Sequence, residues 1–261
     1  MYNFEFVKPA TLADAISALG GDEAQALGGG QTLIPTMKQR LASPTTLVSL
    51  TGIDEIKGVS SEGGVVTIGA ATTHATVSRE AGAYPALAAL ATLIGDPAVR
   101  NRGTIGGSLA NNDPSADYPA AALGSGATIV TNNRDIAADD YFQGMFATAL
   151  DEGEIITAVK FPIPEKANYQ KFEQPASRFA LVGVFVAKYA DGVRVAVTGA
   201  SEDGVFRWSE TETALASNFA ASAIEGLSLP AEGMIADLHG SSEYRAHLVG
   251  VLTKRAVAAA G

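Results

Sequence analysis

The spacing of hydrophobic and polar residues predicts a chain in which short strands and short helices alternate. In residues 2–7, apolar and polar side chains alternate as they do in a half-buried strand. Thr11 has the character of a helix N-cap. Leu12, Ile16 and Leu19 then recur on one face of the helix that follows. The same signals predict strands at residues 24–27, 46–50, 65–70, 127–131 and 154–161, and helices that begin at Pro35 and cover residues 73–80 and 86–94.

The last third of the chain has a different pattern. Two apolar runs, residues 180–189 and 193–198, flank Asp191-Gly192, a dipeptide that strongly indicates a two-residue hairpin. Helical patterns follow at residues 211–216, 220–224 and 242–259. Pro162, Pro164 and the polar residues 165–168 mark the favoured domain boundary before this part. The pattern therefore predicts a hairpin sheet with helices at the C-terminal end.

Two glycine-rich segments carry the candidate chemistry. Gly28-Gly29-Gly30-Gln31-Thr32 lies between a predicted strand and a predicted helix. Residues 102–108, Arg-Gly-Thr-Ile-Gly-Gly-Ser, follow a helical stretch that Asp96-Pro97 is expected to end. Successive backbone N–H groups in glycine turns bind anions. Neither segment matches the G-x-G-x-x-G or P-loop pattern, and either one alone is equally consistent with an ordinary tight turn.

Taken together, the two segments indicate more than two turns. Short hydrogen-bonding residues follow the second segment, and Asp117 could accept hydrogen bonds from sugar hydroxyls, as an acidic residue does in other dinucleotide sites. The alternative role of Asp117 is an N-cap before Tyr118. The sequence thus predicts a dinucleotide whose pyrophosphate is held from two sides, and leaves FAD and NAD both open.

Composition narrows the class of protein. The chain has 261 residues, with 18 basic against 28 acidic side chains and a net charge of −10, which argues against nucleic acid or an anionic membrane as partner. No apolar run has the length of a membrane span, and the N-terminus lacks the features of a signal peptide. Cysteine is absent, so this chain has no disulfide or cysteine-ligated metal. The three histidines are scattered, so no metal site and no catalytic constellation is predicted.

The second glycine segment belongs to a longer string with a family resemblance. Residues 95–117, Gly-Asp-Pro-Ala-Val-Arg-Asn-Arg-Gly-Thr-Ile-Gly-Gly-Ser-Leu-Ala-Asn-Asn-Asp-Pro-Ser-Ala-Asp, closely resemble the FAD-binding medium subunit of the molybdenum hydroxylases, of the aerobic carbon monoxide dehydrogenase and xanthine dehydrogenase type. Residues 28–35, 153–157 and 175–180 are similar to the same family. The resemblance therefore covers essentially the whole chain.

The resemblance implies an α+β fold, in which a two-subdomain FAD-binding domain of the PCMH type precedes a C-terminal domain of antiparallel sheet plus helices. The implied boundaries are 1–57, 58–162 and 163–261. FAD would lie between the first two units and, because there is no cysteine, would be bound non-covalently. The implied FAD contacts are Gly28, Gly29, Gly30, Gln31, Thr32, Thr104, Ile105, Gly106, Gly107, Ser108, Asp117 and Ile156.

The function implied by the resemblance is that of an electron-transfer subunit in an oxidoreductase complex similar to carbon monoxide dehydrogenase. A small [2Fe–2S] subunit would supply electrons, a large subunit would carry molybdopterin, and FAD would pass electrons to an external acceptor. The expected assembly is a dimer of heterotrimers in the cytoplasm, or peripheral at the inner membrane face. Two alternatives stay open: a self-contained FAD-dependent oxidase or dehydrogenase with its own small-molecule substrate, and a non-enzymatic assembly subunit.

Overall fold

The computed structural model describes residues 1–260. The first part of the chain comprises β1 (Glu5–Val7), α1 (Leu12–Leu19), β2 (Ala24–Leu27), α2 (Leu33–Lys38), β3 (Thr46–Ser49) and 3₁₀ turns at Leu50–Gly52 and Asp54–Ile56. Its strands form a parallel sheet in the order β1-β3-β2. Thr11 caps α1 as predicted, because its side chain accepts the Asp14 N–H. Since β2 ends at Leu27, the first glycine segment lies at the carboxyl edge of this sheet, where open α/β sheets bind ligands.

The second part of the chain is built on an antiparallel sheet. Its elements are β4 (Val59–Glu62), β5 (Val65–Gly69), α3 (His74–Glu80), α4 (Pro85–Thr92), α5 (Pro97–Arg100), α6 (Ile105–Asn111), α7 (Tyr118–Gly124), β6 (Thr128–Thr131), β7 (Asp135–Ala137), α8 (Ala138–Tyr141), β8 (Phe142–Gly144), β9 (Ala147–Thr148) and β10 (Ile156–Pro162). Five of the strands pair in the order β4-β5-β10-β6-β7, and β8 pairs with β9. Strand β10 lies at the centre of the sheet, and it begins at a residue of the predicted site, Ile156.

Two local expectations in this part are corrected. Asp96-Pro97 does not simply end a helix: α4 stops at Thr92, and the Asp96 side chain caps the new helix α5 by accepting the Val99 N–H. The second glycine pair, Gly106-Gly107, lies in the first turn of α6 rather than in a loop. Thr104 is the N-cap of that helix, and an N-cap followed by glycine reads locally like a turn.

The C-terminal part forms a second antiparallel sheet with helices. Its elements are β11 (Lys166–Glu173), β12 (Ala180–Tyr189), β13 (Gly192–Ser201), β14 (Gly204–Arg207), α9 (Ser209–Ser217), a 3₁₀ turn at Ala221–Ile224 and α10 (Ser242–Ala259). The strands follow one another in the order β11-β12-β13-β14. The predicted hairpin is confirmed, with Tyr189 opposite Gly192 at its end. Strand β11 begins at Lys166, inside the polar stretch that the sequence suggested as a boundary.

Helix α7 lies between the two antiparallel sheets and joins their cores. Every residue from Tyr118 to Gly124 is buried, as expected for a short helix that is apolar on all sides. Phe185 and Ala187 of β12 belong to the same core cluster as α7, whereas Val184 and Val186 pack in the cluster that includes α9 and α10. Strand β12 is therefore buried on both faces of the sheet, which explains its unbroken apolar run.

This architecture confirms the predicted α+β fold class. None of the helices in residues 1–260 combines the length and the apolar character that crossing a bilayer requires.

A buried ion pair connects the start of α7 to the C-terminal sheet. The Lys171 Nζ of β11 lies 3.0 Å from Asp117 Oδ1, and the two side chains are 2% and 6% exposed. The Tyr169 hydroxyl donates to the same carboxylate at 2.6 Å. Lys171 also donates to the Leu93 carbonyl at 2.9 Å, so one ammonium group holds two segments of the second part.

We expect Lys171→Met to lower the free energy of unfolding by about 3 kcal/mol or more, because it leaves a buried carboxylate without its counter-charge. Urea unfolding at pH 7 measures the change. Lys160→Met is the matched control, since Lys160 is also a strand residue but its pair with Asp135 is exposed, and we expect a loss below about 1 kcal/mol. Equal losses in the two variants would contradict the importance of the buried pair.

Candidate functional site

A cavity of about 380 Å³ lies between the carboxyl edge of the first sheet and the N-terminus of α6. Its lining also includes the ends of β5 and β10, so both parts of residues 1–162 contribute to it. The predicted site residues that line it are Gly28, Gly29, Gly30, Gln31, Thr32, Thr104, Gly106, Gly107, Ser108 and Ile156. The structure thus brings together residues from three distant stretches of sequence.

The two glycine segments contact each other directly. A Cβ atom on Gly29 would lie 1.9 Å from the Arg102 carbonyl oxygen, and one on Gly28 would lie 2.8 Å from Thr104 Oγ1. Gly106 faces the second sheet, because its Cβ would lie 2.6 Å from the Cβ of Ala70. Much of the glycine content is therefore required by backbone packing.

Gly107 differs from these glycines because a side chain on it would meet a single side-chain atom and no backbone of another segment. It is exposed and lines the cavity, and its Cβ would meet only Thr104 Oγ1, at 3.0 Å. Of the second glycine pair, Gly107 is thus the member whose missing side chain leaves room for a ligand.

The backbone donors of the two segments are used differently. The first three N–H groups of α6 are paired: Ile105 with Thr72 O, Gly106 with Ala70 O and Gly107 with Thr104 Oγ1. By contrast, the four consecutive N–H groups of residues 29–32 donate to no acceptor within residues 1–260. Because these four residues line the cavity, the first segment offers unpaired donors to an anionic ligand.

Two of the predicted FAD contacts, Asp117 and Ile105, lie outside the cavity lining. The Asp117 carboxylate is outside the cavity lining and is held by Tyr169 and Lys171, which differs from the predicted contact with sugar hydroxyls. Burial raises the pKa of Asp117, although Lys171 and Tyr169 act in the opposite direction. Nor does its side chain cap α7. The Ile105 side chain is fully buried in the core, and Ile105 is outside the cavity lining, although its chain neighbours Thr104 and Gly106 belong to it.

The segment before β10 is fixed by a charged network that the sequence reasoning missed. Glu154, which lines the cavity, accepts from Arg134 Nη2 at 3.0 Å and from Thr131 Oγ1 at 2.6 Å. The hydrogen bond from Arg134 is the main cause that lowers the pKa of Glu154 to about 2. This network positions Ile155 and Ile156 at the cavity. A lone Arg and a lone Glu twenty residues apart carry no local signal that would reveal it.

His74 is the second residue that the sequence reasoning missed. It is 5% exposed, lines the cavity, and its ring lies 5.3 Å from that of Tyr118. The backbone N–H of His74 donates to the Gly103 carbonyl at 2.9 Å. The imidazole ring packs against Gly103, where a Cβ would lie 2.5 Å from Nε2. Nδ1 has no hydrogen-bond partner among residues 1–260. Burial, together with the charge of Arg100, lowers the pKa of His74 to about 4, so the imidazole is neutral at pH 7.

Comparison with known proteins agrees with this architecture. Residues 2–164 match the family described as the FAD binding domain in molybdopterin dehydrogenase. The chain is 35% identical to the carbon monoxide dehydrogenase medium chain of Afipia carboxidovorans, covering 98% of this chain and 96% of that protein. It is 34% identical to the nicotine 6-hydroxylase medium subunit of Paenarthrobacter nicotinovorans, with the same coverage of both.

Solved structures share the fold. Quinoline 2-oxidoreductase from Pseudomonas putida 86 superposes with a TM-score of 0.88 at 29% identity, covering 98% of this chain and 96% of that one. Reconstituted carbon monoxide dehydrogenase from Oligotropha carboxidovorans superposes with a TM-score of 0.87 at 31% identity, covering 98% of this chain and 97% of that one. The similarity therefore includes the C-terminal part, which lies beyond the family match.

We expect the buried neutral imidazole of His74 to make stability depend on pH below 6.5. The unfolded chain binds a proton near pH 6.5 and the folded chain only near 4, so stability is lost as the pH falls through this window. At pH 5 the loss due to His74 should be about 2 kcal/mol. Urea unfolding at pH 7 and pH 5 measures it: His74→Gln should reduce the difference, whereas the control His247→Gln, on an exposed histidine of α10, should not. An unchanged pH dependence in His74→Gln would exclude this role.

Proposed function

This chain belongs to the family of FAD-binding domains in molybdopterin dehydrogenases, and on that premise we propose that it is the flavin-carrying electron-transfer subunit of a molybdenum hydroxylase. The observation that carries the proposal is the cavity at the carboxyl edge of the first sheet, where the N–H groups of residues 29–32 have no acceptor among the described residues.

The cavity has the features that a non-covalently bound FAD requires. Residues 29–32 would hold the pyrophosphate through backbone N–H groups, which suits a chain whose net charge of −10 gives no general attraction for anions. Gly107 leaves room beside them, and Ile156 supplies an apolar wall. When bound, FAD supplies the redox chemistry, since it takes up two electrons and can release them singly. Of the predicted contacts, Asp117 and Ile105 have the least support from this geometry.

The ionisable residues of the lining support an electron-transfer role over a self-contained oxidase. Such an oxidase would need an acid or base that is free to exchange a proton with a substrate. Among the described residues of the lining, the ionisable side chains are His74, Asp113 and Glu154. Glu154 is bound to Arg134, His74 is neutral beneath a glycine, and Asp113 Oδ1 accepts the Ser115 N–H at 2.8 Å. The ion pair of Glu154 and the burial of His74 make these two side chains poorly suited to proton exchange, which supports a chain that positions a cofactor.

The relatives suggest the setting in which this subunit acts. Their names, medium chain and medium subunit, belong to multi-subunit proteins, and they name carbon monoxide and nicotine as different substrates. We propose that this chain assembles with a large molybdopterin subunit and a small [2Fe–2S] subunit into a dimer of heterotrimers in the cytoplasm, most similar to carbon monoxide dehydrogenase. Electrons would enter from the [2Fe–2S] subunit and leave to an external acceptor. Within the chain, we propose units 1–57, 58–162 and 163–261.

Expression of the full chain alone distinguishes this proposal from its alternatives. The expected result is a yellow protein that takes up FAD in a one-to-one ratio and turns over no substrate until the two partner subunits are added. Turnover by the isolated chain would favour the self-contained oxidase. A colourless chain that takes up no added FAD would favour a subunit with only a structural role.

Gly107 is the position at which the proposed FAD site can be tested without a backbone clash. We expect Gly107→Val to weaken FAD binding at least tenfold, because the added methyl groups enter the open part of the cavity. Flavin fluorescence titration measures the dissociation constant, and circular dichroism checks the fold. Gly250→Val is the matched control, since it adds the same side chain to a helical glycine with nothing within 4 Å. Undiminished FAD affinity in a folded Gly107→Val would refute the assignment.

A further inference from the structure

The loop between α6 and α7 lines the cavity, and its first residue, Asn112, is hydrogen-bonded to the β8–β9 hairpin. Asp113 and Ala116 face the cavity, and the loop ends at Asp117. Inside the loop, the Asp113 carbonyl accepts the Ala116 N–H at 2.9 Å, and its side chain accepts the Ser115 N–H. The carbonyls of Pro114 and Ala116 point to no partner within residues 1–162. The position of residues 114–116, in the middle of the loop, therefore depends on whatever those two carbonyls bind.

Both carbonyls are bound by one strand of the C-terminal sheet. Thr198 of β13 is fully buried, and its hydroxyl lies 2.8 Å from the Ala116 oxygen and 3.0 Å from the Pro114 oxygen. The N–H of the next residue, Gly199, donates to the Pro114 oxygen at 2.7 Å. The hydroxyl has one hydrogen, which it donates to the nearer Ala116 oxygen or shares between the two. The Pro114 carbonyl also has the Gly199 N–H as its own donor, whereas within residues 1–260 the Ala116 carbonyl has only the Thr198 hydroxyl.

The donors on β13, Thr198 and Gly199, are held in place by contacts with neighbouring elements. Gly199 has a φ of +81°, and a Cβ on it would lie 2.6 Å from the Ala180 carbonyl oxygen, so only glycine fits there. Its carbonyl accepts from Nη1 of Arg245 at 2.7 Å. Arg245 is 1% exposed and also donates to Asp237. A continuous set of hydrogen bonds therefore runs from α10 through β13 to the loop.

A second strand holds the end of the same loop. Tyr169 and Lys171 of β11 bind the Asp117 carboxylate, and Lys171 also binds the Leu93 carbonyl. Leu93 precedes Ile94, which lines the cavity. The C-terminal sheet thus contacts two of the segments that line the cavity, although no described residue after Ile156 lines the cavity itself.

We infer that the C-terminal sheet is a positioning element for the FAD cavity, and that Thr198 is the residue through which it holds the α6–α7 loop. The inference rests on the proposed FAD site and goes beyond it, because the family match ends at residue 164. Without the Thr198 hydroxyl, the Ala116 carbonyl loses its partner, and the part of the loop that lines the cavity can sample other positions. Binding then includes the ordering of the loop, which weakens affinity without removing any contact to the ligand.

The test compares FAD affinity among variants of the full chain. Thr198→Val keeps the shape of the side chain and removes the hydroxyl, and we expect the dissociation constant to rise about tenfold. Thr198→Ser restores the hydroxyl and should bind within about threefold of the wild type. Thr253→Val is the matched control: Thr253 is also fully buried in the C-terminal part, but its hydroxyl donates to Val249 within α10. It too should bind within about threefold of the wild type.

Tyr169→Phe tests the inference independently, and replaces Thr198→Val if that variant does not fold. It removes the Asp117 hydrogen bond from β11, and we expect FAD binding to weaken severalfold. Wild-type affinity in Thr198→Val, or in Tyr169→Phe if Thr198→Val does not fold, overturns the inference. Equal weakening in Thr198→Val and Thr253→Val also overturns it, because general destabilisation would then be the cause. Failure of the wild type itself to bind FAD instead refutes the proposed function, and the inference with it.

Discussion

The backbone of Gly29 lies so close to Arg102 that a side chain on Gly29 would place its Cβ 1.9 Å from the Arg102 carbonyl oxygen. This contact joins the carboxyl edge of the parallel sheet to the segment that leads into α6. Gly103 extends it on the other side, where the ring of His74 occupies the space that a Cβ would need. Beside this close approach, residues 30–32 and Gly107 line the cavity. The missing side chains of these glycines thus allow both the close backbone packing and the room for a ligand.

The two glycine segments have different roles, because their backbone N–H groups are bound differently. In the second segment, the N–H groups at the start of α6 are already bound to Thr72, Ala70 and Thr104, so this segment is a rigid support. In the first, the N–H groups of residues 29–32 have no acceptor in the described part of the chain, residues 1–260. A chain with a net charge of −10 can bind an anionic cofactor in this way. Backbone N–H groups attract the anion at short range, whereas physiological salt screens its repulsion by acidic side chains elsewhere on the surface.

The C-terminal sheet shares a hydrophobic core with the second part of the chain, although the family match ends at residue 164. Helix α7 is buried between the two antiparallel sheets, and the core cluster that contains it includes residues of β12 and β13. The Asp117–Lys171 pair and the Thr198 hydroxyl lie at the same junction. Similarity to solved structures extends over 98% of the chain, so the C-terminal part belongs to the shared fold.

The sequence by itself determined the elements whose signals are local, and the string at residues 95–117 identified the family. Thr11 capping α1 and the Asp191-Gly192 hairpin are examples, because an N-cap or a tight turn depends on residues within three or four positions. Only the tertiary structure decided at which glycine of the second pair a side chain would meet no backbone of another segment, where Asp117 finds its partners and why His74 is neutral. Asp117 meets Lys171 across 54 residues, and no local pattern encodes such a contact, since it arises when separate sheets pack on one helix.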